Sequence, residues 1–519
     1  MKLKHVAIAA AVGASVPALV QAESPESWYT AGAQAVQQAH HLKRNKHRAK
    51  NVILFVGDGM GISTVTAARI LAGQLRGESG EENRLSFETL PYVALSKTYN
   101  TNQQTPDSAG TMTAMMTGVK SKAGVISVNQ NSYRGDCASS KGNELITFLE
   151  EAEISGMATG VVTTARLTHA TPAATYAHTP ERNWEDDHDL PQEAKDNGCK
   201  DIARQLIEFP YGDGLEVAMG GGRRNFWPRN LPDLEDSGKY GERDDQRNLT
   251  EEWINRYSNA AFVWNKEQFD AIDPQEVDHL LGLFDRSHME YDSDRPRDVA
   301  GEPSLGDMTA KAIDILNKDK DGFFLMVEAG RIDHGHHAGN AYRALTDTIE
   351  FARAIKLAMD KTDREDTLII VTADHSHVFT IAGYPTRGNP ILGKVIGNDS
   401  RGNANTSFAL AADNMPYTTL GYNNGRGFAM LETGGDTHYG EAIQPGRVAD
   451  LSSIDTEDEG FHQEALVPLG AETHAAEDVA IYAGGPGAYL LHGVQEQNVI
   501  YHVMKSATQI KKREHDDRD

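Results

Sequence analysis

The densest group of reactive side chains in this 519-residue chain is Glu328, Asp333, His334, His336 and His337, directly after the apolar run Phe323 to Val327. Carboxylates and imidazoles packed this tightly beside a buried strand are costly unless something binds them, and a metal ion is the usual partner. On this stretch alone, a polar loop of solvated histidines reads equally well. Asp333 and His337 are four positions apart, which puts two side chains on one face of a helical turn. Comparable groups recur. Asp58 stands between glycines in Gly57-Asp58-Gly59, Asp374-His375-Ser376-His377 follows the run Thr367 to Ala373, and Glu472-Thr473-His474 precedes another apolar run. Together they exceed what one metal needs, and the mixture of oxygen and imidazole donors favours two zinc-like ions with a harder ion such as Mg²⁺.

Two further residue types complete a chemistry. Asp107 or Ser108 reads as the cap of the helix that follows Pro106. A hydroxyl there lies beside free backbone N–H groups and the positive end of the helix dipole, where an anion binds next to a nucleophile. A plain capping serine is the commoner reason for an isolated Asp-Ser. Arg182 follows His169 by thirteen residues; arginines are normally surface charges, but this planar fork would suit a phosphate held beside metals. Closely spaced metals, a hydroxyl at a helix start and an arginine fork are the parts that phosphoryl transfer requires.

Short apolar runs must position these groups. Asn51 to Val56, Gly156 to Thr164, Phe323 to Val327, Thr367 to Ala373 and Val479 to Ala483 read as strands, and the unbroken ones as buried on both faces. Ile62 to Leu75, Leu305 to Leu316 and Ala341 to Met359 read as helices between them. Strands that meet acid or histidine clusters, separated by helices, predict a three-layer αβα sandwich with a mostly parallel sheet and its site along one edge. Residues 378–465, rich in Gly, Asn and Asp, read as an insertion over the site. Residues 220–305 show charged amphipathic stretches without legible chemistry, with Gly220 to Gly222 as a turn. The tail from Lys505 reads as charged and exposed. Residues 23–50 read as a polar arm, either solvated or embracing a second subunit.

The chain starts with Lys2 and Lys4, an apolar stretch Val6 to Val20, and Val20-Gln21-Ala22, the three regions of a secretory signal peptide cleaved after Ala22. The apolar part is short for a membrane anchor and is interrupted by Gly13, Ser15 and Pro17. No later stretch is long and apolar enough to span, so a periplasmic or secreted protein is expected. In such a compartment the pair Cys137 and Cys199 suggests one disulfide and is too sparse for a cysteine metal site. The formal net charge is −25, with 75 acids against 50 Lys and Arg, which disfavours nucleic acid as a specific partner. The acids cluster at Glu185-Asp186-Asp187 and Asp455 to Glu459. This excess suits either an ordinary acidic exported protein or a halophilic enzyme.

Val56-Gly57-Asp58-Gly59-Met60-Gly61, Pro106-Asp107-Ser108-Ala109-Gly110-Thr111, His169-Ala170-Thr171-Pro172, Arg182, Glu328 with Asp333 and His337, Asp374-His375 and Thr473-His474 resemble the alkaline phosphatase family, in the family's order, over about residues 50–490. The resemblance implies a catalytic domain over 51–519 with a crown-like insertion at about 378–465. It implies one Zn²⁺ on Asp333, His337 and His474, and a second on Asp58, Asp374 and His375, completed by Ser108. It implies a Mg²⁺ on Asp58, Thr171 and Glu328. Ser108 would be the nucleophile, forming a phosphoserine from small phosphomonoesters, and Arg182 would grip the phosphate. Asp107, His169 and His334 would act around the metals, and His169 and His334 depart from the enteric branch toward animal and marine members. A homodimer and a Cys137–Cys199 disulfide are also implied. A phosphodiesterase of the same superfamily and an exported metal- or phosphate-binding protein without turnover are the alternatives. Ser108 lies in no Cys/Ser-X-Pro-X-Arg context, which speaks against a sulfatase, and intact Ser108 and Arg182 speak against storage alone.

Overall fold

In the computed structural model, which describes residues 24–431, 443 and 446–510, the apolar runs become inner strands of one ten-stranded sheet. In chain order the strands are β1 (Asn51–Gly57), β2 (Tyr92–Lys97), β3 (Ala158–Arg166), β4 (Val217–Gly221), β5 (Ala260–Val263), β6 (His279–Leu283), β7 (Phe323–Ala329), β8 (Thr367–Ala373), β9 (Val479–Gly484) and β10 (Gly493–Glu496). They are ordered β10-β2-β9-β8-β1-β7-β3-β4-β6-β5. Only β9 runs against its neighbours; every other pairing is parallel.

The pleat sorts β1 into two cores. Val52, Leu54 and Val56 pack with Met112 and Met115 of the Ser108–Thr117 helix, Phe148 of the Phe148–Ile154 helix and Met504 of the Val499–Thr508 helix. Ile53 and Phe55 face the opposite layer, with Met308 of the Leu305–Leu316 helix and Leu345, Phe351 and Ile355 of the Ala341–Lys361 helix. Side chains alternate across a strand, and each large apolar one fully buried contributes about 1.5–3 kcal/mol. The three-layer expectation therefore holds.

Three readings are corrected or displaced. Gly220 and Gly221 continue β4 rather than turning, because a Cβ there would meet the Thr163 side chain at 2.6 Å and Ser287 O at 2.2 Å. The turn begins only at Gly222, whose φ is +94°. The start of the tail is not simply exposed: Lys505 pairs with Glu151 at 2.6 Å, Ala507 and Thr508 at the end of the last helix are buried, and so is Ile510 after it; residues 511–519 lie outside the described residues. The signal-peptide reading of 1–22 lies outside the described residues.

Residues 24–43 belong to a unit of their own. Its helix, Pro25–His41, is capped by Ser24 and buries no residue. Between β8 and β9, Phe379–Ile381, Leu420–Gly425 and Ala465–Pro468 make a separate three-stranded sheet. No helix among the described residues is long and apolar enough to cross a membrane.

Candidate active site

The carboxyl ends of β1, β7 and β8 place the site. Gly57 is level with Ala329 and Ala373, and Val56 with Glu328. Asp58 and Asp374, each one residue further, therefore emerge side by side with Glu328 just below them. Gly59 then turns the chain at φ +69°, and a Cβ there would sit 2.2 Å from His377 Nε2. Only glycine fits both demands.

Asp333 and His337 lie on the short helix Arg331–His337, as their spacing predicts. With His377 and His474 they form one cluster whose potential ligand atoms lie within 4.8 Å of one another. His337 Nδ1 is 2.6 Å from Glu472 O, and His474 Nδ1 is 2.8 Å from Pro106 O. Donating from Nδ1 leaves each Nε2 as a lone pair, and the two Nε2 atoms are 3.0 Å apart. Two lone pairs face each other unfavourably unless a cation lies between them. His377 is held differently, with Nδ1 2.6 Å from Glu472 Oε2 and Nε2 2.9 Å from Asp333 Oδ1. Burial would lower its pKa, but Glu472 and Asp333 push it up to about 10, so it donates to both carboxylates.

A second cluster joins Asp58, Asp374 and His375. His375 Nε2 is 3.3 Å from Asp58 Oδ1, 3.3 Å from Asp374 Oδ2 and 3.2 Å from Ser108 Oγ. Burial lowers the His375 pKa far below its ordinary value. The third cluster contains Asp58, Glu328 and a ring nitrogen of His169. Both Asp58 oxygens, Glu328 Oε1 and Thr171 Oγ1 are buried without a hydrogen-bond partner. Burial, then Asp374, Asp333 and Glu328, raise Asp58 well above its normal pKa, and burial raises Glu328 to about 7. Buried charged oxygens without partners are strongly disfavoured unless paired or bound to metal. The donors therefore fit cations: oxygen-rich around Asp58, Glu328 and Thr171, imidazole-rich around Asp333.

Ser108 opens a ten-residue helix and is 3 % exposed. Asp107 caps it by accepting from Gly110 N at 3.1 Å. The other Asp107 oxygen accepts from Gly124 N and from Arg182 Nη1 at 3.1 Å, while Arg182 Nη2 is 3.1 Å from His169 Nε2. Nucleophile candidate and arginine fork are thus tied through one carboxylate. His334 stands beside this group, with ring centroids 5.7 Å from His169 and 4.1 Å from His288. Cys137 and Cys199 form a disulfide with Cα atoms 6.0 Å apart.

The candidate ligands Asp58, Glu328, Asp333, His337, Asp374, His375 and His474 thus fall into neighbouring clusters, with Ser108 beside His375 and Arg182 beside Asp107 and His169. Three more were not singled out. His377 and Glu472 lay inside motifs already marked by Asp374 and His474, so proximity was a usable signal. His288 lies in the stretch that showed no chemistry and gave none.

The alkaline phosphatase family model matches residues 49–510. The chain is 44% identical over 494 residues to an alkaline phosphatase of Gadus morhua, covering 94% of this chain and 98% of that one. It is 44% identical over 492 residues to the tissue-nonspecific isozyme of Homo sapiens, covering 93% and 88%. Among solved structures, an alkaline phosphatase of Thermus thermophilus has a TM-score of 0.63 at 24% identity, covering 91% of this chain and 93% of that one. That of the Antarctic bacterium TAB5 has a TM-score of 0.58 at 22% identity, covering 90% and 100%. With the family model spanning the sheet and the site alike, this chain belongs to the alkaline phosphatase family.

Proposed function

We propose that the chain hydrolyses phosphate monoesters to an alcohol and inorganic phosphate through a phosphoserine on Ser108. The observation that carries this is the junction of Ser108, Asp107 and Arg182. The hydroxyl opens a helix whose first N–H groups and dipole would favour a bound phosphate, and the guanidinium is held beside it by the capping carboxylate. Ser108 Oγ forms the bond to phosphorus as the ester oxygen leaves, Arg182 holds non-bridging oxygens, and water then frees the phosphate and restores the serine.

Asp333, His337 and His474 would hold one Zn²⁺; Asp58, Asp374 and His375, with Ser108, a second; and Asp58, Thr171 and Glu328 a Mg²⁺. When bound, such ions supply Lewis-acid stabilisation of phosphoryl and leaving oxygens and lower the pKa of a hydroxyl or water. His377 would orient Asp333, and His169 and His334 would adjust the magnesium end and Arg182. The 51–519 catalytic domain, the crown-like insertion, an exported periplasmic or secreted location and a homodimer belong to the same reading. The exposed Trp28, Tyr29 and Val36 of the arm helix suit contact with a second copy.

The test compares release of p-nitrophenol from its phosphate monoester and diester, and acid-quenches the enzyme during turnover. Monoester preference and an acid-stable phosphoserine, absent in Ser108→Ala with near-normal metal content, are expected. Wild type without phosphoserine refutes the covalent route, and diester preference supports the phosphodiesterase alternative.

A further inference from the structure

The peptide at Gly124 is shared by both members of the Asp107–Arg182 pair. Its N–H donates to Asp107 Oδ2 at 2.9 Å, and its carbonyl accepts from Arg182 N at 3.0 Å. A third side chain lies across it. A Cβ built on Gly124 would sit 2.5 Å from Arg134 Nε and 2.6 Å from Arg134 Cδ and Cζ. With φ at +80° as well, the position suits glycine alone.

From Gly124, Arg134 reaches Glu181, the residue before Arg182. Its Nε donates to Glu181 Oε2 at 2.8 Å and its Nη2 to Oε1 at 2.9 Å, the two-pronged geometry in which a guanidinium best holds a carboxylate. Glu181 Oε1 also accepts from Asn183 N at 3.1 Å, so this carboxylate bridges over Arg182 from one neighbour to the other. The Thr179 hydroxyl holds Glu181 from the other side, accepting from its N–H at 3.2 Å. Asp107, Arg182, Glu181, Arg134 and Gly124 thus form a closed ring of contacts.

An exposed ion pair contributes little by itself, and the Arg134 side chain is 49 % exposed. Glu181 is different: its side chain is 15 % exposed and is bonded to the backbone just after Arg182. What the pair restrains is therefore a stretch of backbone rather than a second mobile side chain. Both prongs of the Arg134 fork are spent on Glu181, which argues against Arg134 gripping a substrate directly. We propose that Arg134 is a positioning residue, which through Glu181 and Gly124 fixes the backbone from which Arg182 reaches the phosphate. This rests on the reading of Arg182 as the phosphate grip.

The metal-loaded enzyme is assayed with p-nitrophenyl phosphate and with adenosine diphosphate, using inorganic phosphate as the competitive inhibitor. Arg134→Ala is expected to raise KM for both substrates and the phosphate inhibition constant together, by about fivefold, the upper range for one exposed ion pair, at nearly constant kcat. Guanidinium chloride well below denaturing concentrations should restore these constants in Arg134→Ala and not in Glu181→Gln. The double variant should be no worse than the poorer single one, as for two groups acting as a unit. Arg134→Lys, which keeps the charge and loses the fork, is the second arm should the alanine variant fail to fold, and is expected to recover only part of the phosphate affinity. An unchanged KM in Arg134→Ala, additive losses in the double variant, or full activity in Arg134→Lys overturns the proposal. A loss confined to adenosine diphosphate overturns it too, by showing that Arg134 touches the substrate itself. Unchanged phosphate inhibition in Arg182→Ala would instead overturn the reading of Arg182 as the grip.

Discussion

His169 is the residue whose place is most informative. The sequence reading puts it around the magnesium, and its ring nitrogen in fact comes within 4.8 Å of Asp58 and Glu328 oxygens while Nε2 touches Arg182. One imidazole thus faces both the cation end and the phosphate-gripping end. Exchanging it for a carboxylate changes both. His169→Asp adds negative charge beside Asp58 and Glu328, so Mg²⁺ affinity should rise about tenfold, the lower end of what residues around a metal are worth. The new carboxylate would also draw Arg182, so KM for the ester should rise more than kcat falls. Magnesium titration by calorimetry and steady-state kinetics read the two effects separately. Unchanged magnesium affinity would remove His169 from the site's electrostatics.

The segment from Cys137 to Cys199 carries Arg182, and its disulfide packs in a small apolar cluster with Trp184, Leu190 and Ala194. Backbone bonds from Arg182 N to Gly124 O and from Gly135 N to Pro180 O, each 3.0 Å, fix the same segment. Closing a 62-residue separation stabilises by about 2–5 kcal/mol. The paired Cys137→Ser, Cys199→Ser variant should melt several degrees lower and show a raised KM at nearly constant kcat, because the phosphate grip loosens before the nucleophile moves. Identical KM would mean that the segment is held without the bridge. At this scale much was legible. Buried parallel strands announce themselves as unbroken apolar runs, and the acids at their ends follow directly, as with Asp58 and Asp374. Glu472 and His377 were within reach for the same reason. His288 was not, because it matters through partners far off in sequence, His169 and His334. Gly220 misled because a glycine chosen for close packing against Thr163 looks, in one dimension, like a glycine chosen for a turn.

Over the whole molecule the excess of acid is the dominant electrostatic fact: 75 Asp and Glu against 50 Lys and Arg. Part of it is matched. Arg243 holds Asp201 and Asp245, and Arg247 holds Glu252 and Glu208. Part is not. Burial and then Asp189 push Asp186 up to about 7, and burial and acidic neighbours raise Asp189. Loss of Lys2 and Lys4 with a cleaved leader would deepen the imbalance by two charges. Self-repulsion of this size opposes the compact state and, more strongly, the association of two copies. Near 1 M salt the Debye length falls to about 3 Å, which screens repulsion between exposed acids while sparing the short buried pairs. The melting temperature and the dimer fraction should therefore both rise between about 0.05 and 2 M NaCl, with phosphatase activity retained. Differential scanning calorimetry and light scattering across that range are the measurements. A flat melting temperature would show that the surface acids are already spaced beyond mutual reach, and the halophilic reading would fall with it.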